Sequence, residues 1–241
     1  MSALLSVEAV SKRFRGLLAV DQVSFDVPQS AIVAVIGPNG AGKTTLFNMI
    51  AGVYTPDGGM ITFAGERTDG LPPDKICRRG VGRTFQIVRP FPALTVEDNV
   101  IVGALLHRRH AREARAHAHD VLRRLDLYDK RSQRASSLTL PDRKRLEVAR
   151  ALATDPKLLL LDEVMAGLRP TETDRMVNIL KELNRETGLT ILLIEHVMRA
   201  VMALAHRVLV LHHGAPIALG SPEAVTREPA VVESYLGAEA L

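Results

Sequence analysis

Five short apolar runs rich in Val, Ile and Leu recur along the chain and predict buried β-strands. They lie at residues 4–10, 31–36, 158–161, 190–194 and 208–211. Continuous apolar runs of this length are typical of strands in a parallel sheet that is covered on both faces. Helical patterns separate them, at residues 43–51, 172–185 and 198–205. This alternation of strands and helices predicts an α/β fold.

The middle of the chain has a different pattern. Residues 95–153 are rich in Ala, Arg and Leu and carry almost no strand pattern. Thr95, followed three residues later by Asp98, is typical of a helix N-cap with its capping partner. We therefore predict one domain with three parts. These are an α/β core at residues 1–88 and 154–220, a helical subdomain inserted at 89–153, and a short C-terminal extension at 221–241.

Composition narrows the class of protein. The 241 residues are 46% hydrophobic and 24% charged, as in an ordered globular protein. The apolar runs are shorter than the roughly 18 residues that cross a bilayer, and the N-terminus lacks the pattern of a signal peptide. A single cysteine, Cys77, fits a reducing compartment, so we expect a cytoplasmic protein. The net charge is +4, but no basic run is interleaved with aromatic residues, so nucleic acid is not a predicted partner.

Residues 37–45 match the pattern G-x-x-x-x-G-K-[ST] between a predicted strand and a predicted helix. Glycines let the backbone curl so that its N–H groups converge on phosphates. Lys43 adds a positive charge there, and the Thr44 hydroxyl is placed to ligate Mg²⁺. The motif therefore predicts a site for ATP and Mg²⁺. Its residues are Gly37, Pro38, Asn39, Gly40, Ala41, Gly42, Lys43, Thr44 and Thr45.

Four polar residues that follow apolar strands complete the predicted chemistry. Asp162 and Glu163 end the strand at 158–161, where Asp162 would lie near the metal and Glu163 would polarise the water that attacks the γ-phosphate. Gln86 carries an amide suited to the metal or to that water. His196 carries a ring nitrogen that can hydrogen-bond the γ-phosphate.

Together these residues resemble the ATP-binding cassette (ABC) family of transporter ATPases, over essentially the whole chain. The family's phosphate loop, Q-loop, metal-binding acid, catalytic base and switch histidine are matched by Lys43 with Thr44, Gln86, Asp162, Glu163 and His196. Phe14 matches the aromatic position that stacks on adenine. The resemblance implies ATP hydrolysis and head-to-tail dimers that sandwich two ATP molecules. It also implies a RecA-like P-loop core with an inserted helical subdomain and a small N-terminal antiparallel β region.

Within that family, the chain resembles the ATPases of branched-chain amino acid importers. Residues 14–20, 83–86, 166–168 and 193–198 carry this resemblance, and the tail at 222–225 and 234–237 adds to it. It implies transmembrane permeases and a second ATPase as partners, a periplasmic binding protein as an indirect partner, and a position on the inner face of the plasma membrane. Urea and amide importers and lipopolysaccharide exporters have similar ATPases, so these remain alternatives.

The family's signature sequence, Leu-Ser-Gly-Gly-Gln, is altered in this chain. The aligned residues are Leu138, Thr139, Leu140, Pro141 and Asp142. Thr139 keeps a hydroxyl, but Leu140 lacks the freedom of glycine, Pro141 has no N–H, and Asp142 brings a negative charge toward a phosphate. Thr139 and Asp142 also have the spacing of a capping box, so one interpretation is that the carboxylate caps its own helix and occupies the anion site. The other is that Asp142 turns aside and only one contact weakens.

Three functions therefore stand as hypotheses. The intact Glu163, Gln86 and His196 favour a hydrolysing subunit of a transporter. The altered signature favours a nucleotide-gated assembly module that turns over little ATP. A soluble cassette ATPase acting on DNA or ribosomes is disfavoured, because the chain has one cassette and no long coiled-coil insertion.

Overall fold

The computed structural model describes residues 3–85 and 90–236, which form two compact units. Of the described residues, 3–76 and 190–236 belong to the first unit, and 77–85 and 90–189 belong to the second. The strands are β1 (Ala3–Phe14), β2 (Leu17–Pro28), β3 (Ile32–Ile36), β4 (Gly58–Phe63), β5 (Glu66–Arg67), β6 (Val81–Arg83), β7 (Leu158–Asp162), β8 (Thr190–Ile194), β9 (Arg207–His212) and β10 (Ala215–Gly220). The α-helices are α1 (Lys43–Ile50), α2 (Pro73–Arg78), α3 (Val96–Ala104), α4 (Ala111–Arg124), α5 (Leu140–Leu152), α6 (Pro170–Thr187), α7 (Met198–Leu204), α8 (Pro222–Val225) and α9 (Pro229–Leu236).

The first unit contains an antiparallel sheet with the strand order β2-β1-β4-β5. Along β1, Leu5, Val7 and Val10 are buried and alternate with exposed or half-buried positions, as in a sheet with one covered face. The predicted strand at 4–10 is therefore present, but in this antiparallel sheet rather than in a parallel one. The N-terminal antiparallel β region implied by the family resemblance is confirmed.

The first unit also contains three of the parallel strands predicted from the apolar runs, those at 31–36, 190–194 and 208–211. β3 lies between β8 and β9 and is parallel to both, while β10 pairs with β9 in the antiparallel direction. Every residue of β3 and of β8 is buried, which explains why their sequences are continuously apolar instead of alternating. The carboxyl ends of β3 and β8 lie side by side, because Val35 is paired with Ile194.

In the second unit, β6 and β7 form a parallel pair. The helices α3, α4, α5 and α6 lie wholly within this unit. The predicted cap at Thr95 is present, since the Asp98 N–H donates to Thr95 Oγ1 over 3.0 Å. α6 ends at Gly188, whose φ of +68° is the left-handed conformation common at helix C-termini. Within the described ranges, the chain has no helix long and apolar enough to span a bilayer.

Candidate functional site

The loop between β3 and α1 has the glycine-dependent shape that its sequence motif predicts. Gly37 has a φ of +146°, and a Cβ added there would lie 2.1 Å from the carbonyl oxygen of Leu211. Gly42 has a φ of +95°, and its Cβ would lie 2.3 Å from the carbonyl oxygen of Ala19. Both backbone conformation and available space therefore require glycine at these positions. Because Gly42 has no side chain to cap α1, the first N–H groups of that helix are left for an anion.

Lys43, the first residue of α1, directs its ammonium group back into this loop. Nζ donates to the carbonyl oxygens of Gly37 at 2.7 Å and Pro38 at 2.8 Å, and the residue is 8% exposed. Thr44 is exposed and Thr45 is half-buried. The loop thus holds a fixed positive charge inside its curl, where a phosphate group would be bound.

Two further predicted residues lie in the first unit. Phe14 is the last residue of β1, is 37% exposed, and its ring meets that of Tyr54 edge-on with centroids 5.2 Å apart. The face of a ring braced in this way can stack on a base. His196 is exposed and follows β8 by two residues, so it lies at the same carboxyl edge of the parallel strands as the phosphate loop.

Sequence reasoning missed contacts that reach the phosphate loop from the C-terminal part of the chain. The Gly214 N–H donates to the Ala41 carbonyl oxygen at 3.2 Å. α9 brings the Tyr235 hydroxyl to the backbone N–H of Gly37. Burial raises the pKa of the Tyr235 phenol, and this hydrogen bond opposes the shift. A cavity of about 640 Å³ lies beside the loop. It is lined by Pro38, Asn39, Gly40, Ala41, His212, His213, Ile217, Ala230, Glu233 and Ser234.

Asp162, at the end of β7 in the second unit, has the properties of a divalent-metal ligand. Its backbone N–H donates to Thr84 Oγ1 at 3.1 Å, and its Oδ2 lies 3.5 Å from a guanidinium nitrogen of Arg83. Its Oδ1 is buried and has no hydrogen-bond partner among the described residues. Burial raises the pKa of this carboxyl, while the charge of Arg83 opposes the shift and that of Glu163 adds to it. A buried, unpaired carboxylate oxygen fits a hard cation such as Mg²⁺.

Glu163 adopts a strained backbone conformation. Its φ is +49°, in the left-handed region that a residue with a side chain occupies at a cost of about 1–3 kcal/mol. Its carbonyl oxygen accepts hydrogen bonds from the Ala166 N–H at 3.2 Å and from Lys144 Nζ at 2.9 Å. Sequence reasoning assigned no role to Arg83 or Lys144, because nothing in the sequence distinguished these charged side chains from solvated ones.

Gln86 was predicted as a further contact to the metal or the attacking water. It lies outside the described residues, so its role stays a prediction.

The residues at the altered signature begin α5, and Thr139 is the N-cap of that helix. Asp142 is 2% exposed, and its carboxylate accepts hydrogen bonds from the side chains of Thr139, Lys130 and Arg145. Burial alone would raise its pKa, but the bonds from Lys130 and Thr139 and the charge of Arg145 outweigh this and hold the pKa below its usual value. The carboxylate therefore turns inward with its charge compensated, which agrees with the second interpretation about Asp142 itself. That only one contact to the partner's ATP is weakened stays a prediction.

Several known proteins and solved structures are similar to this chain along nearly its whole length. The family model for the ABC transporter matches residues 20–166. The high-affinity branched-chain amino acid transport ATP-binding protein BraF of Pseudomonas aeruginosa is 41% identical over 97% of this chain and 98% of its own. The protein LivG of Salmonella typhimurium, named for the same transport, is 43% identical with the same coverage. Among solved structures, the ADP conformation of MJ1267, an ATP-binding cassette of an ABC transporter, superimposes with a TM-score of 0.90 at 30% identity, covering 98% of this chain and 100% of the other.

Proposed function

This chain belongs to the ABC transporter family as one of its ATP-hydrolysing subunits, and we propose that it powers the import of branched-chain or related hydrophobic amino acids. The observation that supports the proposed substrate is the likeness of this chain to BraF and LivG along nearly its whole length. The intact phosphate loop and the strained Glu163 support active hydrolysis. Transmembrane permeases, a second ABC ATPase and, indirectly, a periplasmic binding protein are the proposed partners. The proposed location is the inner, cytoplasmic face of the plasma membrane.

Each site residue has a proposed part in the reaction. Lys43 and the loop N–H groups bind the β- and γ-phosphates of ATP, and Phe14 stacks on adenine. Thr44, Gln86 and Asp162 are the proposed ligands of Mg²⁺, which when bound neutralises charge on the phosphates. The support for Asp162 is its buried, unpaired oxygen.

Glu163 is the proposed general base. Water attacks the γ-phosphorus, its proton passes to the Glu163 carboxylate, and the bond from the γ-phosphorus to the bridging oxygen breaks to leave ADP and phosphate. In this proposal His196 hydrogen-bonds the γ-phosphate and Gln86 orients the water.

The test of the substrate is transport by the complete complex in proteoliposomes. We expect ATP-dependent uptake of labelled leucine, isoleucine or valine that requires a binding protein. Uptake of urea or short amides without uptake of these amino acids would contradict the proposed substrate and identify the alternative importer. ATP-dependent release of lipopolysaccharide from the membrane would identify the exporter.

Permease association gives a prediction for the segment after Gln86. The family resemblance implies that the segment after Gln86, at residues 87–91, contacts the permease, and Arg89 and Phe91 are the proposed contact residues. Arg89 lies outside the described residues. Phe91 is 43% exposed, and its ring centroid lies 4.9 Å from the Arg150 guanidinium carbon. An exposed aromatic ring of this kind is a common anchor in interfaces, so Phe91→Ala should weaken co-purification with the permeases and leave Mg-ATP affinity unchanged.

Leu219→Ala is the control for this experiment, since Leu219 is 40% exposed in the first unit. It should leave both permease binding and ATP binding unchanged. Co-purification of Phe91→Ala at the level of the Leu219→Ala control would contradict the proposed contact.

The altered signature favours a second candidate function, in which the ATP site that this chain completes for its partner is weak or inactive. Pro141 has no N–H to offer a phosphate, and the Thr139 hydroxyl donates to Asp142 Oδ2 at 2.7 Å. The family resemblance implies that this surface faces the ATP of the second subunit, while the phosphate loop of this chain faces the signature of that subunit. Because the charge of Asp142 is buried and paired, missing donors rather than repulsion are the proposed cause of weak contact.

We therefore predict an asymmetric heterodimer whose two sites hydrolyse ATP unequally. In the assembled complex, Glu163→Gln in this chain should abolish most turnover, whereas the equivalent change in the partner should have a mild effect. This chain alone should show weak ATPase activity. Equal losses in the two variants, or brisk turnover by this chain alone, would reject the asymmetry.

A further inference from the structure

One face of α5 contacts the loop that carries the proposed base, residues 163–168, which we call the catalytic loop. Leu140 and Lys144 are four residues apart on α5 and therefore share a face. Lys144 Nζ donates to the carbonyl oxygen of Glu163 at 2.9 Å. At the other end of the loop, Leu140 Cδ2 would lie 3.3 Å from a Cβ built on Gly167, so the leucine side chain covers that glycine. Both contacts lie within the second unit.

The contact from Lys144 is made to a strained residue. Glu163 has a φ of +49°, and a conformation of this kind persists only where surrounding contacts hold it. The Glu163 carbonyl accepts one bond from the Ala166 N–H within the loop and a second from Lys144. Lys144 therefore contacts the loop from outside it. The hydrogen bond fixes the peptide group of Glu163, the residue that bears the carboxylate.

Because Lys144 is buried, its hydrogen bond to the Glu163 carbonyl cannot be exchanged for one to water. The residue is 5% exposed, and a buried ammonium group must keep its hydrogen-bond acceptors because water cannot replace them. Its position on α5 is fixed by the helix, which begins at Leu140 after the N-cap Thr139. The ammonium thus ties the catalytic loop to the helix that starts at the altered signature.

We propose that Lys144 is a positioning residue for Glu163, holding the backbone so that the carboxylate is presented to the attacking water. This inference rests on the proposed function, in which Glu163 is the general base. Leu140 supports the same loop at Gly167, so the side chain that replaces a signature glycine stabilises the chain's own catalytic loop.

The first test is Lys144→Met, which removes the charge and the donors with little change in volume. In the assembled transporter, we expect the kcat for ATP hydrolysis to fall about 10- to 100-fold, since small misplacements of a catalytic group have effects of this order. The Kd for Mg-ATP should be unchanged. Lys144→Arg should restore most of the kcat, because a guanidinium can also donate to the Glu163 carbonyl. Lys181→Met, at an exposed position on α6, is the matched control and should have normal kcat.

The second test distinguishes positioning from a general structural role. The Lys144 charge also acts on Asp162, so the test must separate the two routes. In a Glu163→Gln background, adding Lys144→Met should cause no further loss of turnover if Lys144 acts through Glu163, whereas an effect through Asp162 would appear as a further loss. Multiplicative losses, or a normal kcat in Lys144→Met, would overturn the inference. A normal kcat in Glu163→Gln alone would instead remove the base assignment, so the two failures are distinguishable.

A third variant covers the case in which Lys144→Met does not fold. Leu140→Ala removes the contact to Gly167 at an exposed position and should lower kcat less, again without any additional loss in the Glu163→Gln background. An unchanged kcat in a correctly folded Leu140→Ala variant, together with misfolding of Lys144→Met, would overturn the positioning role in favour of a purely structural one.

Discussion

Glu163→Gln is expected to lower ATP turnover in the assembled complex by about 10² or more while Mg-ATP still binds, which is the usual effect of losing a general base. Glutamine has nearly the same shape, so the contacts around the strained backbone at φ +49° are retained. It lacks a basic carboxylate, so the proton of the attacking water has no acceptor. Single-turnover hydrolysis and nucleotide binding, measured on the same preparation, separate the two effects.

Glu182→Gln is the matched control for this prediction. Glu182 is exposed on α6, so the same chemical change there should leave turnover unchanged. If Glu163→Gln hydrolyses ATP as fast as this control in the assembled complex, Glu163 is not the base.

Lys43→Ala is expected to weaken the affinity for Mg-ATP about 10- to 100-fold. A hydrogen bond to a charged group contributes about 1.5–3 kcal/mol, and each 1.4 kcal/mol is a factor of ten in binding. The structure adds a second reason for a large effect. Lys43 Nζ also bonds the carbonyl oxygens of Gly37 and Pro38, so the variant loses the cation and two contacts that hold the loop. Titration calorimetry on the isolated chain measures the change.

Lys181→Ala removes an equal charge from an exposed helical position and should bind Mg-ATP normally. Thermal unfolding of both variants without nucleotide shows whether the phosphate loop has remained folded. Undiminished nucleotide affinity in Lys43→Ala would contradict the assignment of this loop as the ATP site.

Much of the fold was predictable because the relevant signals are local. The fully buried strands β3, β7 and β8 were predicted from continuous apolar runs, and the cap at Thr95 was predicted from two residues three positions apart. A strand before Gln86 was expected, but the three-residue β6 was not among the predicted apolar runs. β2, β4, β5 and the edge strand β10 were not predicted as separate strands. β10 includes Pro216 and has no fully buried position, so it lacks the apolar pattern of a buried strand.

The candidate site also has parts that local sequence predicts and parts that it does not. The sequence by itself determined the phosphate loop and the carboxylates at the end of β7, because the geometry of each follows from residues adjacent in the chain. Only the tertiary structure decided that Asp142 turns inward to Lys130 and Arg145, that Arg83 faces Asp162, and that Lys144 holds Glu163. Each contact involves a charged side chain, most of the partners are more than ten positions apart, and the partner of Lys144 is a backbone carbonyl. From the sequence alone, a charged side chain is expected to be solvated. Burial then forces each charge to find a partner, and the packing of helix against loop determines which one.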